Sequence, residues 1–325
     1  MPDAAPPPRS VAIIGASGYL GQVLTRALLQ DRRGITRILA LDLKPCSCED
    51  PDGVIVFEEL DVRSARLGEL LAEHAVDTVV HLAAVVTPPP GMTRNEQYAI
   101  DVDGTHNVLD ACVEHGVVEV IVTSSGAAYG YHVDNPSWID ERCPLRGNDE
   151  FAYSRHKRLV EELLAKYRTW HPQLRQLVFR PGTILGRNAH NQVTALFERS
   201  VMLKITNGDS RFVFVWDEDV AACIVKGIHE RATGTYNLAG DGAMSAEEIA
   251  AVTGARLLSL PASALALGLR VAQWFELTEY GPEQVPFLRY RPVLSNTALK
   301  RDFGFTPSRS SREVFEEYWR SRVPA

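Results

Sequence analysis

Two hydrophobic rhythms alternate along the first 180 residues. Short runs that are apolar almost throughout (Val11–Ile14, Arg37–Asp42, Val54–Leu60, Thr78–Leu82, Val118–Thr123 and Leu177–Arg180) are separated by stretches with helical spacing. The helical stretches cover roughly Tyr19 to Gln30, Asn95 to His115 and Tyr153 to Trp170. The second of them sets Tyr98, Val102, Thr105, Val108, Leu109 and Cys112 along one side. Strands that do not alternate polar and apolar positions are buried on both faces. Their regular exchange with helices predicts parallel β-α-β units with right-handed crossovers, an α/β doubly wound sheet.

Beyond Pro181 the rhythm loosens. Asn191–Lys204 reads as a helix, Arg211–Val215 as a strand and Asp219–Arg231 as a helix, and Thr235–Ala239 reads as a strand returning to the main sheet. Pro261, Pro282, Pro286, Pro292 and Pro307 then interrupt the pattern. The expected organisation is a disordered tail over 1–10, a core over 11–182 completed by segments near 211–240, and a small C-terminal substrate-binding lobe within 183–325.

Composition narrows the function classes. The formal net charge of −7 and the lack of any basic run give no support for a nucleic-acid or anionic-membrane partner. MPDAAPPPRS lacks the apolar segment of a signal peptide. The most apolar late window, Ala262–Leu277, is broken by Arg270 and Gln273 and is shorter than the ~20 residues of a membrane span; it is expected to be lobe core, with burial of an apolar substrate as the alternative. Five irregularly spaced cysteines argue against a disulfide scaffold and suit a reducing compartment, by default the cytoplasm. Cys46-Ser47-Cys48 has no companion pair, so it is read as part of a loop and no metal site is expected.

The first candidate site follows the first strand. Val11–Ile14 runs into Gly15-Ala16-Ser17-Gly18-Tyr19-Leu20-Gly21, and a helix follows. Glycines there permit a tight turn, close approach of backbone to a pyrophosphate and close helix–strand packing, with the helix N-terminus aimed at the phosphates. Asp42 ends the second strand, where a carboxylate can accept both hydroxyls of an adenosine ribose and repel a 2′-phosphate. NAD is therefore expected in preference to NADP, which Lys44, Arg32 and Arg33 leave open. Asp61-Val62 is placed to meet the adenine, and Leu82-Ala83-Ala84 to let the cofactor lie against the strand ends. The predicted domain is thus Rossmann-type.

The second candidate site is Ser125, Tyr153 and Lys157. Tyr153 and Lys157 stand at i and i+4 on one helix and point the same way. A free phenol titrates at ~10, and an ammonium beside it favours the phenolate. Ser125, within Thr123-Ser124-Ser125-Gly126-Ala127-Ala128-Tyr129-Gly130, can donate to a substrate oxygen as charge develops, with Ser124 as its competitor for that role.

Together these motifs resemble the extended short-chain dehydrogenase/reductase family, also called the NAD-dependent epimerase/dehydratase family. Further points of likeness are His81-Leu82-Ala83-Ala84, Arg180-Pro181, Asp219-Val220-Ala221, Tyr236-Asn237-Leu238 and Phe303-Gly304-Phe305-Thr306-Pro307. The resemblance implies Tyr153 as acid/base, Lys157 as its tuner and ribose ligand, Ser125 as substrate donor and Pro181 beside the nicotinamide. It also implies a homodimer paired through Asn95–His115 and Tyr153–Trp170.

Family members diverge after oxidising a carbinol carbon, and four places distinguish among them. Gly126, Ala127 and Ala128 stand where dehydratases carry an acidic pair, which disfavours elimination. Thr183 replaces the Asn usual for nucleotide-sugar enzymes, Arg211 is out of register as a diphosphate ligand, and Asp101 replaces another Asn. The substrate side is therefore assigned to Ser125, Gly126, Thr183 and Arg211. The leading expectation is a dehydrogenase/reductase of a secondary alcohol or ketone. UDP-hexose 4-epimerisation is the alternative, and a non-catalytic NAD-binding sensor the second alternative.

Overall fold

Every strand expected in the first half is present in the computed structural model, which describes residues 9–190, 193–206, 208, 210–274, 281 and 284–322. The first half runs β1 (Arg9–Ile14), α1 (Tyr19–Gln30), β2 (Ile35–Asp42), β3 (Ile55–Glu59), α2 (Arg66–Glu73), β4 (Thr78–His81), α3 (Arg94–Tyr98), α4 (Gly104–Glu114), β5 (Glu119–Thr123), α5 (Ala152–Trp170) and β6 (Arg175–Pro181). The later elements are β7 (Thr183–Leu185), α6 (Thr194–Phe197), β8 (Val201–Ile205), β9 (Arg211–Phe212), β10 (Phe214–Trp216), α7 (Asp217–Glu230), β11 (Gly234–Leu238) and β12 (Met244–Ser245). They continue with α8 (Ala246–Thr253), β13 (Arg256–Leu260), α9 (Ala262–Trp274), α10 (Gln284–Arg289), α11 (Thr297–Arg301) and α12 (Ser311–Arg320).

The main sheet has seven strands in the order β11-β6-β5-β4-β1-β2-β3. The pairings from β6 through β3 are all parallel. β1 and the inner parts of β2, β4 and β5 are buried on both faces, as their unbroken apolar runs require. Two compact units share the chain. The first holds the chain up to Ser124, Leu159–Phe179 and Asp217–Thr235; the second holds Ser125–Arg158, Arg180–Trp216 and Tyr236 onward.

Several expectations are corrected. Arg9 and Ser10, assigned to the disordered tail, belong to β1, and Arg9 is buried against Asp77 and Glu119. The helix expected over Asn191–Lys204 is only the single turn α6, and residues 191 and 192 lie outside those described. Val201–Ile205 is instead a strand, because pairing with β13 outweighs local preference. The strand expected over Arg211–Val215 breaks at Val213 into β9 and β10. The single helix expected over Asn95–His115 contains a π-helical turn at Ala99–Asp103 between α3 and α4. Ala262–Leu277 is not lobe core: α9 exposes Leu267, Val271 and Trp274, and residues 275–277 lie outside those described. Among the described residues, no helix is long and apolar enough to cross a membrane.

Candidate active site

In the first unit, β1 is flanked by β2 on one side and β4 on the other, the reversal of strand order that opens a crevice beyond the carboxyl ends. Gly15 sits there with φ +90°, and a Cβ on it would lie 2.8 Å from the Ala83 nitrogen. A Cβ on Gly21 would lie 2.2 Å from the Gly15 oxygen. The loop thus turns under α1 only because both side chains are hydrogen. Gly18 is the N-cap of α1, where no side chain caps the helix and no acid stands in the first turn. The leading N–H groups therefore stay open to an anion.

Asp42 braces this loop. Its Oδ2 accepts the Ser17 N–H at 3.0 Å and its Oδ1 the Lys44 N–H at 3.4 Å, which leaves lone pairs on both oxygens for other donors. Ser17 Oγ donates to the Lys44 carbonyl, and the Tyr19 hydroxyl donates to Asp217. Burial pushes the Asp217 carboxyl up. Leu20 is half-buried in the same turn of α1. Arg32 pairs with Asp52 at 2.8 Å and Arg33 with Asp31 at 2.9 Å.

Asp61 is clasped by Arg63 through its Nε at 2.9 Å and its backbone N–H at 2.9 Å, and the hydrogen bond from the Arg63 side chain holds its carboxyl below the ordinary range. Val62 is buried against Gly104, where a Cβ would meet Val62 Cγ1 at 2.7 Å. Leu82, Ala83 and Ala84 follow β4 half-buried, and Asp101 Oδ1 accepts the Val85 N–H at 2.8 Å just beyond them. That bond needs only an acceptor, which accounts for a carboxylate at Asp101.

The two serines part company. Ser124 is buried in the first unit and donates to Glu161 Oε1 at 2.6 Å. Ser125 opens the second unit, capping the 3-10 turn Gly126–Tyr129: its Oγ accepts the Ala127 N–H at 3.1 Å. That leaves the Ser125 hydroxyl hydrogen for another acceptor. A Cβ on Gly126 would lie 3.0 Å from Leu294 Cδ1, so the glycine allows that leucine to close in.

Tyr153 lies in the first turn of α5, half-buried, and Lys157 lies one turn on, buried, with Nζ 5.7 Å from the phenol ring centroid. The start of α5 is fixed by a residue that spacing did not single out. Ser154 is fully buried, donates to the Ala127 carbonyl at 2.6 Å and accepts the Asn148 N–H at 3.1 Å. It therefore ties the helix carrying Tyr153 to the turn carrying Ser125.

A buried network supports the same turn. The Tyr129 hydroxyl donates to Asn237 Oδ1 at 2.8 Å and accepts from Arg180 Nη1 at 2.7 Å, and the Arg180 guanidinium lies 4.9 Å over the Tyr129 ring. Pro181 is buried next to Arg180. Thr183 N–H bonds the Val213 carbonyl at 3.0 Å, and Arg211 is exposed on β9.

A second residue missed by sequence reasoning is Arg291. Its guanidinium packs 4.2 Å from the Phe212 ring centre and 4.0 Å from that of Phe287. Its Nε and Nη2 are buried without an acceptor among the described residues. Burial lowers it to about 10, within the range where it remains a cation at neutral pH. Phe287 also packs edge-on against Tyr131 and Phe151. Nothing in Tyr290-Arg291-Pro292 announces this role, because Phe287, one turn earlier, closes only one side and the other ring, Phe212, comes from β9.

The sequence model of the NAD dependent epimerase/dehydratase family matches residues 11–239. An uncharacterized protein y4nG of Sinorhizobium fredii is 26% identical over 95% of this chain and 77% of its own length. The N-acetyl-alpha-D-glucosaminyl-diphospho-ditrans,octacis-undecaprenol 4-epimerase of Escherichia coli O157:H7 is 35% identical over 58% of this chain and 53% of its own. Among solved structures, MoeE5 in complex with UDP-glucuronic acid and NAD superposes with a TM-score of 0.73 at 20% identity, covering 96% of this chain and 98% of that one.

Proposed function

The chain belongs to the NAD-dependent epimerase/dehydratase family, and on that premise we propose that it transfers hydride at a secondary carbinol carbon of a glycosyl diphosphate. NAD supplies a hydride acceptor that can return what it takes. Gly15, Gly18 and Gly21 with the α1 N-terminus hold its pyrophosphate, and Asp42 its adenosine ribose. The pairing of Arg32 and Arg33 with aspartates favours NAD over NADP, since neither arginine is left for a 2′-phosphate. Asp61 and Val62 border the adenine, Leu82–Ala84 the strand-end side, and Pro181 the nicotinamide. Lys157 favours the phenolate of Tyr153, which takes the substrate hydroxyl proton and becomes a neutral phenol. Ser125 donates to the substrate oxygen with the hydroxyl hydrogen its cap bond does not use. No acid follows Ser125, so oxidation followed by hydride return, not elimination, is the expected course.

The observation that carries the diphosphate over an uncharged alcohol is Arg291, a cation whose Nε and Nη2 are buried with no acceptor among the described residues. A diphosphate oxygen satisfies them. Two of the three proteins named above act on, or bind, a sugar diphosphate by their names, one carried on undecaprenol and one on uridine. Thr183 and Arg211 have lesser parts on this reading. A net dehydrogenase of apolar alcohols is the second reading, favoured by the aromatic side chains Tyr131, Phe151 and Phe287.

The test incubates the protein and NAD with UDP-sugars, polyprenyl-diphosphate sugars and apolar secondary alcohols, following both isomer ratio and NADH absorbance. Isomerisation at constant NADH supports the proposal. Net NADH from the alcohols, with every glycosyl diphosphate untouched, overturns it. Arg291→Met should lower kcat/KM for the diphosphate substrate about 10- to 150-fold, the loss of a charged hydrogen bond. We further propose a homodimer paired through α3–α4 and α5, and a cytoplasmic setting in keeping with five free thiols.

A further inference from the structure

Within the second unit, near Tyr153, stands another phenol to which the reaction proposed above gives no part. Tyr131 follows the turn that carries Ser125 and is only 7% exposed. Its backbone is pinned, because the Tyr131 N–H donates to Asn148 Oδ1 at 2.7 Å. Its ring is pinned as well, with a centroid 5.6 Å from that of Phe151 and 5.3 Å from that of Phe287. Phe151 lies two positions before Tyr153. Phe287 lies four positions before Arg291 and carries that guanidinium at 4.0 Å from its ring centre. The Tyr131 ring is thus packed between the stretch bearing the acid/base and the ring that carries the cation.

The Tyr131 hydroxyl, by contrast, makes no hydrogen bond to a described residue. A buried phenol ordinarily finds a partner for its O–H. Nε and Nη2 of Arg291 lack acceptors among the described residues in the same way. The groups whose charge acts on Tyr131 are Arg291 and Tyr153. Burial pushes its phenol well up, further than the Arg291 cation draws it back, and negative charge on Tyr153 adds to the rise. The hydroxyl therefore keeps its proton as a donor while Tyr153 exchanges one. Tyr131, Asn148 and Tyr290 also border an open cavity of about 460 Å³, within the ~300–1,000 Å³ of small-molecule sites.

We propose that Tyr131 holds the sugar: its hydroxyl donates to an oxygen of the glycosyl unit that lies between the carbinol oxygen at Tyr153 and the diphosphate at Arg291. This role rests on the glycosyl diphosphate reading above and adds a specificity determinant to it. A site built to hydrogen-bond a hydroxyl rejects the analogue lacking it, because its own donor is then left buried and unpaired. Neither the hydride nor the transferred proton passes through Tyr131.

The experiment follows turnover of UDP-glucose and of polyprenyl-diphosphate glucose, each with its 2-deoxy and 3-deoxy analogues, by the wild-type chain and Tyr131→Phe. The variant keeps the ring and loses only the hydroxyl, so NAD affinity and the thermal transition should not change. On the parent sugar its kcat/KM should fall about 5- to 20-fold, the loss of one hydrogen bond from a buried partner. The wild-type chain should lose a similar factor on one of the two deoxy analogues. Tyr131→Phe should lose nothing further on that analogue, since both changes remove the same bond. An unchanged kcat/KM on the parent sugar overturns the inference, as does a variant that discriminates against both deoxy analogues as strongly as the wild type. A fall in kcat of about 10²-fold or more on every sugar also overturns it, by making Tyr131 the acid/base. If the wild-type chain turns over no glycosyl diphosphate, the underlying reading fails and this role fails with it.

Discussion

In the first unit the loop after β1 takes its shape from side chains that are not there. A Cβ at Gly15 would meet Ala83 backbone at 2.8 Å, and one at Gly21 would meet the Gly15 oxygen at 2.2 Å. In the second unit the turn carrying Ser125 takes its shape from side chains drawn together over long separations: Tyr129 with Asn237, Arg180 with Tyr129, Ser154 with Ala127. One site is excavated by omission and the other is propped by hydrogen bonds. The first is encoded within a few residues, so it leaves a motif. The second is spread over more than a hundred residues, so each contributing residue looks ordinary alone.

This contrast makes the two units fail differently. The largest effect is expected from Tyr153→Phe, which removes the acid/base and should lower kcat by about 10²–10⁴-fold while leaving NAD affinity essentially unchanged. Turnover at the wild-type rate would remove the catalytic assignment. Gly21→Ala should act on the other unit, forcing the loop and α1 apart at a cost of about 1–3 kcal/mol, with NAD affinity falling in step. If calorimetry finds both stability and NAD binding unchanged, the loop is not shaped by omission.

Asn237→Leu probes the propped site. It takes the acceptor from the buried Tyr129 hydroxyl and the donor from the Ile139 carbonyl, and should cost about 1–3 kcal/mol of stability with NAD affinity intact. Equal loss of NAD affinity would show that the two sites are not separable in this way.

The smallest expected effect is pH-dependent and belongs to the sheet of the first unit. Glu119 is fully buried, and burial pushes its carboxyl up to about 7 against the opposing pull of Arg9, Arg175 and Arg231. Its ordinary value is 4.5, so between these limits the folded chain holds a proton that the unfolded chain has released. Stability should therefore fall as pH rises from about 4.5 to 7. Glu119→Gln should flatten that slope, a difference on the order of 1–3 kcal/mol by pH 8. Parallel slopes for the two proteins in thermal melts would show that Arg9 keeps Glu119 ionised throughout.

Much of the fold was legible because buried parallel strands must be apolar throughout and because glycine is the only residue that fits where backbones touch. Val11–Ile14, Gly15–Gly21 and Asp42 could be read in order along the chain, and the i, i+4 spacing of Tyr153 and Lys157 depends only on helix geometry. The choice between Ser124 and Ser125 was not legible. Adjacent hydroxyls are chemically equal until Glu161, 37 positions on from Ser124, engages one of them. The turn from expected helix to strand at Val201–Ile205 likewise depends on a partner more than fifty residues away.

What the sequence determined by itself is the α/β rhythm, the glycine loop and the tyrosine–lysine pair, all set by local spacing and by the volume of single residues. Tertiary structure alone decided that Nε and Nη2 of Arg291 are buried with no acceptor among the described residues, because the Phe212 ring that packs on it comes from β9. It alone decided that Arg199, Arg256 and Arg270 stand exposed with no ion pair to a described residue, in a chain whose net charge is −7. Net charge is a sum over the whole chain, whereas a surface meets its partner with the few charges that the fold places on it.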